Sequence, residues 1–402
     1  MSTGLPVLPA RSLHRADTER LFEVLQQQHA RKLDLVIPAT SLRAEGTAEK
    51  KTYLRLDHPA LSEHLTEDGF YDLNGLYSFT DTAVADLAEK YDIPAKYLRR
   101  CREDNPRAFV NNVNDWTRFD DDSSVLVRLL WGRDRYAKEA RGIVRAVRSP
   151  NYRISDNLDM ATSFLKGLRA AGLDDTQIVS ADLTDDHLYM RVSAPQIAIE
   201  APELLRNYRS PFNGRRGGDC PIVFAGVVFQ NSETGQGRTS VAPELRVEVC
   251  DNGMTFAKQA VSAVHRGARL SEGIQWQPDT LASDENTISL KIRDAVQEFL
   301  SPSYVRSLVD EISGAAQTVL PEAENTLEIV SKKLRFSAEE RNGIWRHFIK
   351  SDDSTAGGIM HAVTSYAQIA GRRGTSASVE RSNQLNALSL DALTLAAGTA
   401  TT

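Results

Sequence analysis

The chain has 402 residues, a formal net charge of -6 at pH 7, and 41% hydrophobic and 25% charged residues. That length can bury a large core and suggests two or three domains, and the acidic balance excludes a histone-like coat for nucleic acid without excluding a local basic surface. No apolar run reaches the length of a bilayer span, the amino-terminal stretch lacks the apolar core of a secretory leader, and Cys101, Cys220 and Cys250 have neither disulfide-framework nor zinc-ribbon spacing, so a cytoplasmic setting is expected.

In chain order, the first 14 residues are irregular, and DTERLFEVLQQQHARKL reads as a helix with a partial apolar stripe. LDLVIPA and KTYLRL are strand candidates. FTDTAVADLAEKYD is a helix capped by Thr80 or Asp81, and AKYLRRC starts a second one, a pair that matches either a helical hairpin or a helix-turn-helix. From about residue 123 strands take over. SSVLVRLLWG and RGIVRAVRS are joined by RDRYAKEA, and a helix over NLDMATSFLKGLRAAG ends at Gly172. A hairpin turning at Asp185-Asp186 follows, then strands over PIVFAGVVFQNSE and TSVAPELRVEVC. Cys250 closes that strand, Asp251-Asn252-Gly253 turns the chain, and MTFAKQAVSAVHRGA is expected to enter a helix whose first amides could meet an anion. After about residue 285 the pattern is helical, with breaks at Pro302 and Pro321 and capping-box spacing at Ser337 and Glu340.

The fold class expected is α+β: a central mixed or antiparallel sheet with flanking helices, then a helical carboxy-terminal region and a flexible tail. The divisions are 1–104, a mixed region with a helical hairpin; 105–284, a central α+β unit; 285–372, helical; and 373–402, a flexible tail rich in Ser, Thr and Ala.

Residues 125–153 hold eight basic side chains against Asp134 and Glu139, so the local balance is 8 - 2 = +6. The cations are Arg128, Arg133, Arg135, Lys138, Arg141, Arg145, Arg148 and Arg153, with Trp131 and Tyr136 interleaved. Arginine on a β-ribbon can follow a phosphate backbone while aromatics stack on bases, which is how single-stranded DNA is held; the same alternation also solvates a sheet face. Arg215 and Arg216 sit in a glycine-rich loop that has no Walker or dinucleotide pattern and reads as a mobile basic surface. Catalytic signals are weak: the histidines are scattered and no nucleophile elbow occurs. Asp120, Asp121 and Asp122, with Cys250 and Asp251, are the groups a metal-dependent hydrolase would draw on.

The runs DIPAKYLRRC, VRAVRSPNYRISDNLDM, FQNSETGQGRTSVAPELRVEVCDNGM and GGIMHAVTSYAQIAGRR, in this order, resemble the phage/plasmid-like family known as domain of unknown function 932. The resemblance covers roughly residues 80–372. His361 departs from it, standing where the family pattern has Asn. The resemblance implies a mobile-element origin and, by association, nucleic-acid metabolism; it carries over no activity residue by residue.

The reading is therefore a non-enzymatic protein that binds single-stranded DNA along the basic ribbon, as a possible homo-oligomer, without a cofactor, catalytic residue, metal or membrane partner. The alternatives are a metal-dependent hydrolase of mobile-element DNA metabolism and a structural or host-interaction protein, in which the arginines would pair with acidic neighbours.

Overall fold

Strands that alternate apolar and polar residues must place one face on a core, and here they build two sheets with separate cores. The computed structural model describes residues 5–400 apart from 48, 50, 63, 67–68, 174–177, 249–251, 257–258 and 264–277. The chain opens with β1 (Leu13–Ala16), α1 (Thr18–Arg31), β2 (Lys32–Pro38), β3 (Arg43–Gly46), β4 (Thr52–Leu56) and the short α2 (Pro59–Ser62). A small hairpin, β5 (His64–Thr66) with β6 (Gly69–Tyr71), precedes β7 (Gly75–Phe79). Then come α3 (Asp81–Lys90), α4 (Ala95–Asp104), α5 (Pro106–Thr117), β8 (Ser124–Trp131) and β9 (Ala140–Arg148).

The first sheet runs β2-β8-β9-β7-β4-β3, antiparallel except for the β7–β9 pair. Side chains explain its helices. Thr80 Oγ1 accepts from Ala83 N at 3.1 Å and starts α3, and Asn105 with Pro106 starts α5. The helical pair α3–α4 packs on this core through Val84, Leu87, Leu98 and Cys101. The sequence division at 104/105 is thus corrected. Every residue of β2 pairs with β8, from Lys32↔Leu130 to Pro38↔Ser124, so residues 124–148 form the centre of the amino-terminal sheet rather than the start of a separate unit.

The second half adds α6 (Asn157–Ala170), β10 (Ile178–Leu183), β11 (Leu188–Glu200), α7 (Pro202–Leu205), β12 (Ile222–Asn231), β13 (Thr239–Val247), β14 (Asn252–Thr255) and β15 (Val261–Ala263). The second sheet is antiparallel in the order β1-β10-β11-β12-β13-β14, with β15 also on β13. Its apolar face, with Met190, Val192, Val227, Phe229, Val241 and Leu245, lies in one core with α6; Phe164 stacks on Phe229 at 4.7 Å between ring centroids. The helix expected after Gly253 is not found in the described part of that segment, because β14 and β15 complete the edge of β13 instead.

Six helices finish the chain: α8 (Pro278–Phe299), α9 (Pro302–Ala316), α10 (Ala323–Leu334), α11 (Ala338–Ser351), α12 (Ala356–Ala370) and α13 (Ser376–Ala400). Ser337 and Glu340 form the expected capping box at α11. The α+β class therefore holds, with one correction: the segment read as a flexible tail is α13, a 25-residue helix. Leu385, Leu393 and Ala396 are buried in the second core, and the small residues between them let α13 approach α12 closely.

Candidate functional site

Two of the arginines expected on a DNA-binding face, Arg128 and Arg145, are instead buried between the two sheets, and Arg148 is half-buried beside them. Arg128, on β8, is 3% exposed; its guanidinium meets Asp34 on β2 at 2.7 and 3.1 Å and Asp156 at 2.7 Å, and donates to the Glu233 carbonyl. Arg145, on β9, ion-pairs with Glu233 Oε1, while Glu233 Oε2 accepts from Asn157 N at 3.0 Å. Arg148 donates to the Thr234 carbonyl and pairs with Asp86 of α3 at 3.1 Å. Lys32 holds the other oxygen of Asp156. Asn231 Nδ2 donates to the Ser155 carbonyl and to Asn157 Oδ1, at 3.0 and 2.8 Å.

The seam joins two quoted runs, VRAVRSPNYRISDN and FQNSETG. Gly235 makes it possible. Its φ is +80°, and a Cβ there would stand 2.9 Å from Arg148 Nε. Burial tends to raise the Asp156 carboxyl, but Arg128 and Lys32 outweigh it and hold that group low. Burial wins at Asp86, which is pushed up to about 7 against the Arg148 charge and the Val147 N–H. Chemically this is a nearly closed, mutually neutralised network; pairing rather than phosphate contact satisfies its cations. Asp156 and Glu233 lie in those quoted runs, but nothing in the sequence paired them, or Asp34 and Asp86, with these arginines, since the partners lie far away in the chain.

The remaining predicted residues are placed differently. Trp131 is buried at the end of β8, packed on His64 and Tyr71 of the small hairpin with Arg31 over its ring. It cannot stack on a base, because its ring faces are taken up by protein. Arg141 is half-buried, where its side chain packs against Gly75, and Arg153 is also half-buried. Arg133, Arg135, Tyr136 and Lys138 form the exposed β8–β9 loop, with Tyr136 80% exposed.

The base of that loop is fixed. Arg133 N donates to the Pro6 carbonyl at 2.7 Å, Leu8 N donates to the Arg133 carbonyl at 3.1 Å, and a Cβ on Gly132 would stand 2.9 Å from Leu8 Cα. Tyr136 N donates to Asp134 Oδ1 at 2.8 Å, which turns the loop tip. Counting Asp134 and Glu139, the loop carries 3 - 2 = +1. Arg215 and Arg216 are exposed near α7, on the second half of the chain.

The acidic run does not form a cation cage. Asp120 pairs with Lys90 at 2.9 Å and accepts from Tyr91 Oη at 3.2 Å, while Asp121 and Asp122 are exposed. Cys250 and Asp251 lie outside the described residues. Among the described residues, His29, Asp156 and Asp159 bring three ligand atoms within 4.8 Å of one another. Asp156 is already held by Arg128 and Lys32, so a metal ion there would meet two fixed positive charges. His361 is fully buried on α12, its ring 4.3 Å from that of Tyr208 and its Nε2 3.3 Å from the Leu204 carbonyl oxygen. No described helix is long and apolar enough to cross a membrane. No family model, curated protein or solved structure matches the chain.

Proposed function

We propose that this is a DNA-associated protein of the phage and plasmid kind, and that it meets single-stranded DNA through the β8–β9 loop rather than along a sheet face. The observation that carries the reading is the exposed group Arg133, Arg135, Tyr136 and Lys138 on a loop whose base is pinned by residues 6–8. Three cations suit adjacent phosphates, and a freely exposed tyrosine ring suits stacking on a base. The resemblance to the phage/plasmid-like family supports the same class of partner.

The test is fluorescence anisotropy with labelled single-stranded DNA across a salt series. Each phosphate contact on a single strand contributes roughly 0.7 to the slope of log affinity against log salt, so Arg133→Ala/Arg135→Ala/Lys138→Ala is expected to flatten that slope by about 2 and weaken binding at least about tenfold. Tyr136→Ala should weaken binding with little change in slope. Wild-type protein that fails to bind at low salt, or a triple variant that binds like wild type, would overturn the reading.

A further inference from the structure

The two most exposed large apolar side chains among the described residues sit at opposite ends of one strand. Tyr136, 80% exposed, lies in the loop that follows β8, and Phe119, 77% exposed, lies in the turn that precedes it. Between them β8 runs from Ser124 to Trp131, eight residues that span ~23 Å. The surroundings of the two rings differ in charge. Arg133, Arg135 and Lys138 are exposed beside Tyr136. Around Phe119 the exposed charges include Asp115, Asp121 and Asp122, and residues 115–122 together carry 1 - 4 = -3.

The acidic end is held in place by its own contacts. Phe119 N and Asp120 N donate back to the Trp116 and Thr117 carbonyls, at 3.4 and 3.3 Å, at the end of α5. The Trp116 indole stacks on Tyr91, the residue that follows α3, with 6.5 Å between ring centroids, and is still 53% exposed. Lys90 and Tyr91 both bind Asp120, so that carboxylate is matched. Asp115 meets Arg118 at 3.4 Å in the open, a contact that contributes little. Asp121 and Asp122 make no ion pair with any described residue. A partner bringing cations and a ring fits this end: the cations meet the carboxylates and the open indole, and the ring packs on Phe119. The β8–β9 loop is such a group. It cannot serve its own molecule, because its base is pinned to residues 6–8 and β8 holds the two ends apart.

We propose that the protein associates head to tail with a second copy of itself, the β8–β9 loop of one molecule docking on residues 115–122 of the next. The two surfaces differ, so each contact leaves one loop and one acidic end unused, and association continues into rings or open chains. Both segments present far fewer residues than the roughly 20–30 a side of a stable interface, so the contact is weak and sensitive to salt. It shares the loop with the DNA reading but does not rest on it, and the test contains no nucleic acid. That test is sedimentation velocity of the full chain over a concentration series at low and high salt. Wild type should form larger species at low salt and return to monomer at high salt. Two variants each keep one end: Phe119→Ser/Asp121→Ser/Asp122→Ser keeps the loop, and Arg135→Ser/Tyr136→Ser/Lys138→Ser keeps the acidic end. All six side chains are exposed, so both variants should fold, and each alone should associate at least about tenfold more weakly than wild type. Mixed in equal amounts, they should form a one-to-one dimer that grows no further. A wild type that stays monomeric at every concentration, either variant associating like wild type, or a mixture that stays monomeric or grows past a dimer would overturn the proposal.

Discussion

Arg145 and Glu233 show how one pair of residues can change the meaning of a sequence. On β9, Arg145 sits in an alternating basic run, and alternation alone allows the arginines to face solvent. Its partner lies 233 - 145 = 88 residues later, in the turn after β12. Removing one member of a buried, hydrogen-bonded pair leaves an uncompensated charge, so Arg145→Ala and Glu233→Ala are each expected to lower the unfolding free energy by about 3–5 kcal/mol in denaturant titration. The double variant should cost less than the sum of the two. Gly235→Ala should destabilise by about 1–3 kcal/mol, since it combines a left-handed backbone with a clash against Arg148. Local chemistry was readable where its partner is local: the Thr80 cap and the Ser337–Glu340 box follow from three-residue spacings. The seam was not, because nothing near Arg128 in the sequence points to Asp34 or Asp156.

At the level of elements, most strands and helices follow from periodicity, and the errors share a cause. The helix expected after Gly253 is strand where it is described, since β13 offers an open edge that local propensity cannot reveal. The carboxy-terminal segment lacks aromatics and reads as polar, yet α13 buries Val379, Leu385 and Leu393. It also places Asn383 on Arg191 and Glu380 within hydrogen-bond reach of Thr184 and His187. Deleting Ser376–Ala400 should therefore expose both apolar and charged buried surface. We expect increased binding of a hydrophobic dye, a lower thermal midpoint and a less cooperative transition, whereas loss of a loose tail would change none of these.

Across the whole molecule, two buried histidines make stability depend on pH. Burial, with the Lys350 charge adding to it, pushes His347 down to about 4, and burial depresses His361 as well. Each imidazole takes up a proton more readily in the unfolded chain. Their contribution to stability is therefore lost as pH falls below the free value of 6.5 toward about 4, while Asp86, raised to about 7 in the fold, takes up its proton over the same range and contributes in the opposite sense. The histidine part is read by difference: from about pH 7 to about pH 5 the denaturation midpoint of His347→Gln should fall less, or rise more, than that of the wild type. Molecular architecture also bears on how the chain reaches this state. β1 pairs with β10 across more than 160 residues of chain, Leu13 facing Leu183, and Arg191 finds Asn383 across a separation of 192 residues. Contacts this distant in sequence slow folding. The second sheet cannot gain its roof until α13 has left the ribosome, more than a hundred residues after β15, so the nascent chain carries a half-finished, charge-lined sheet through that interval.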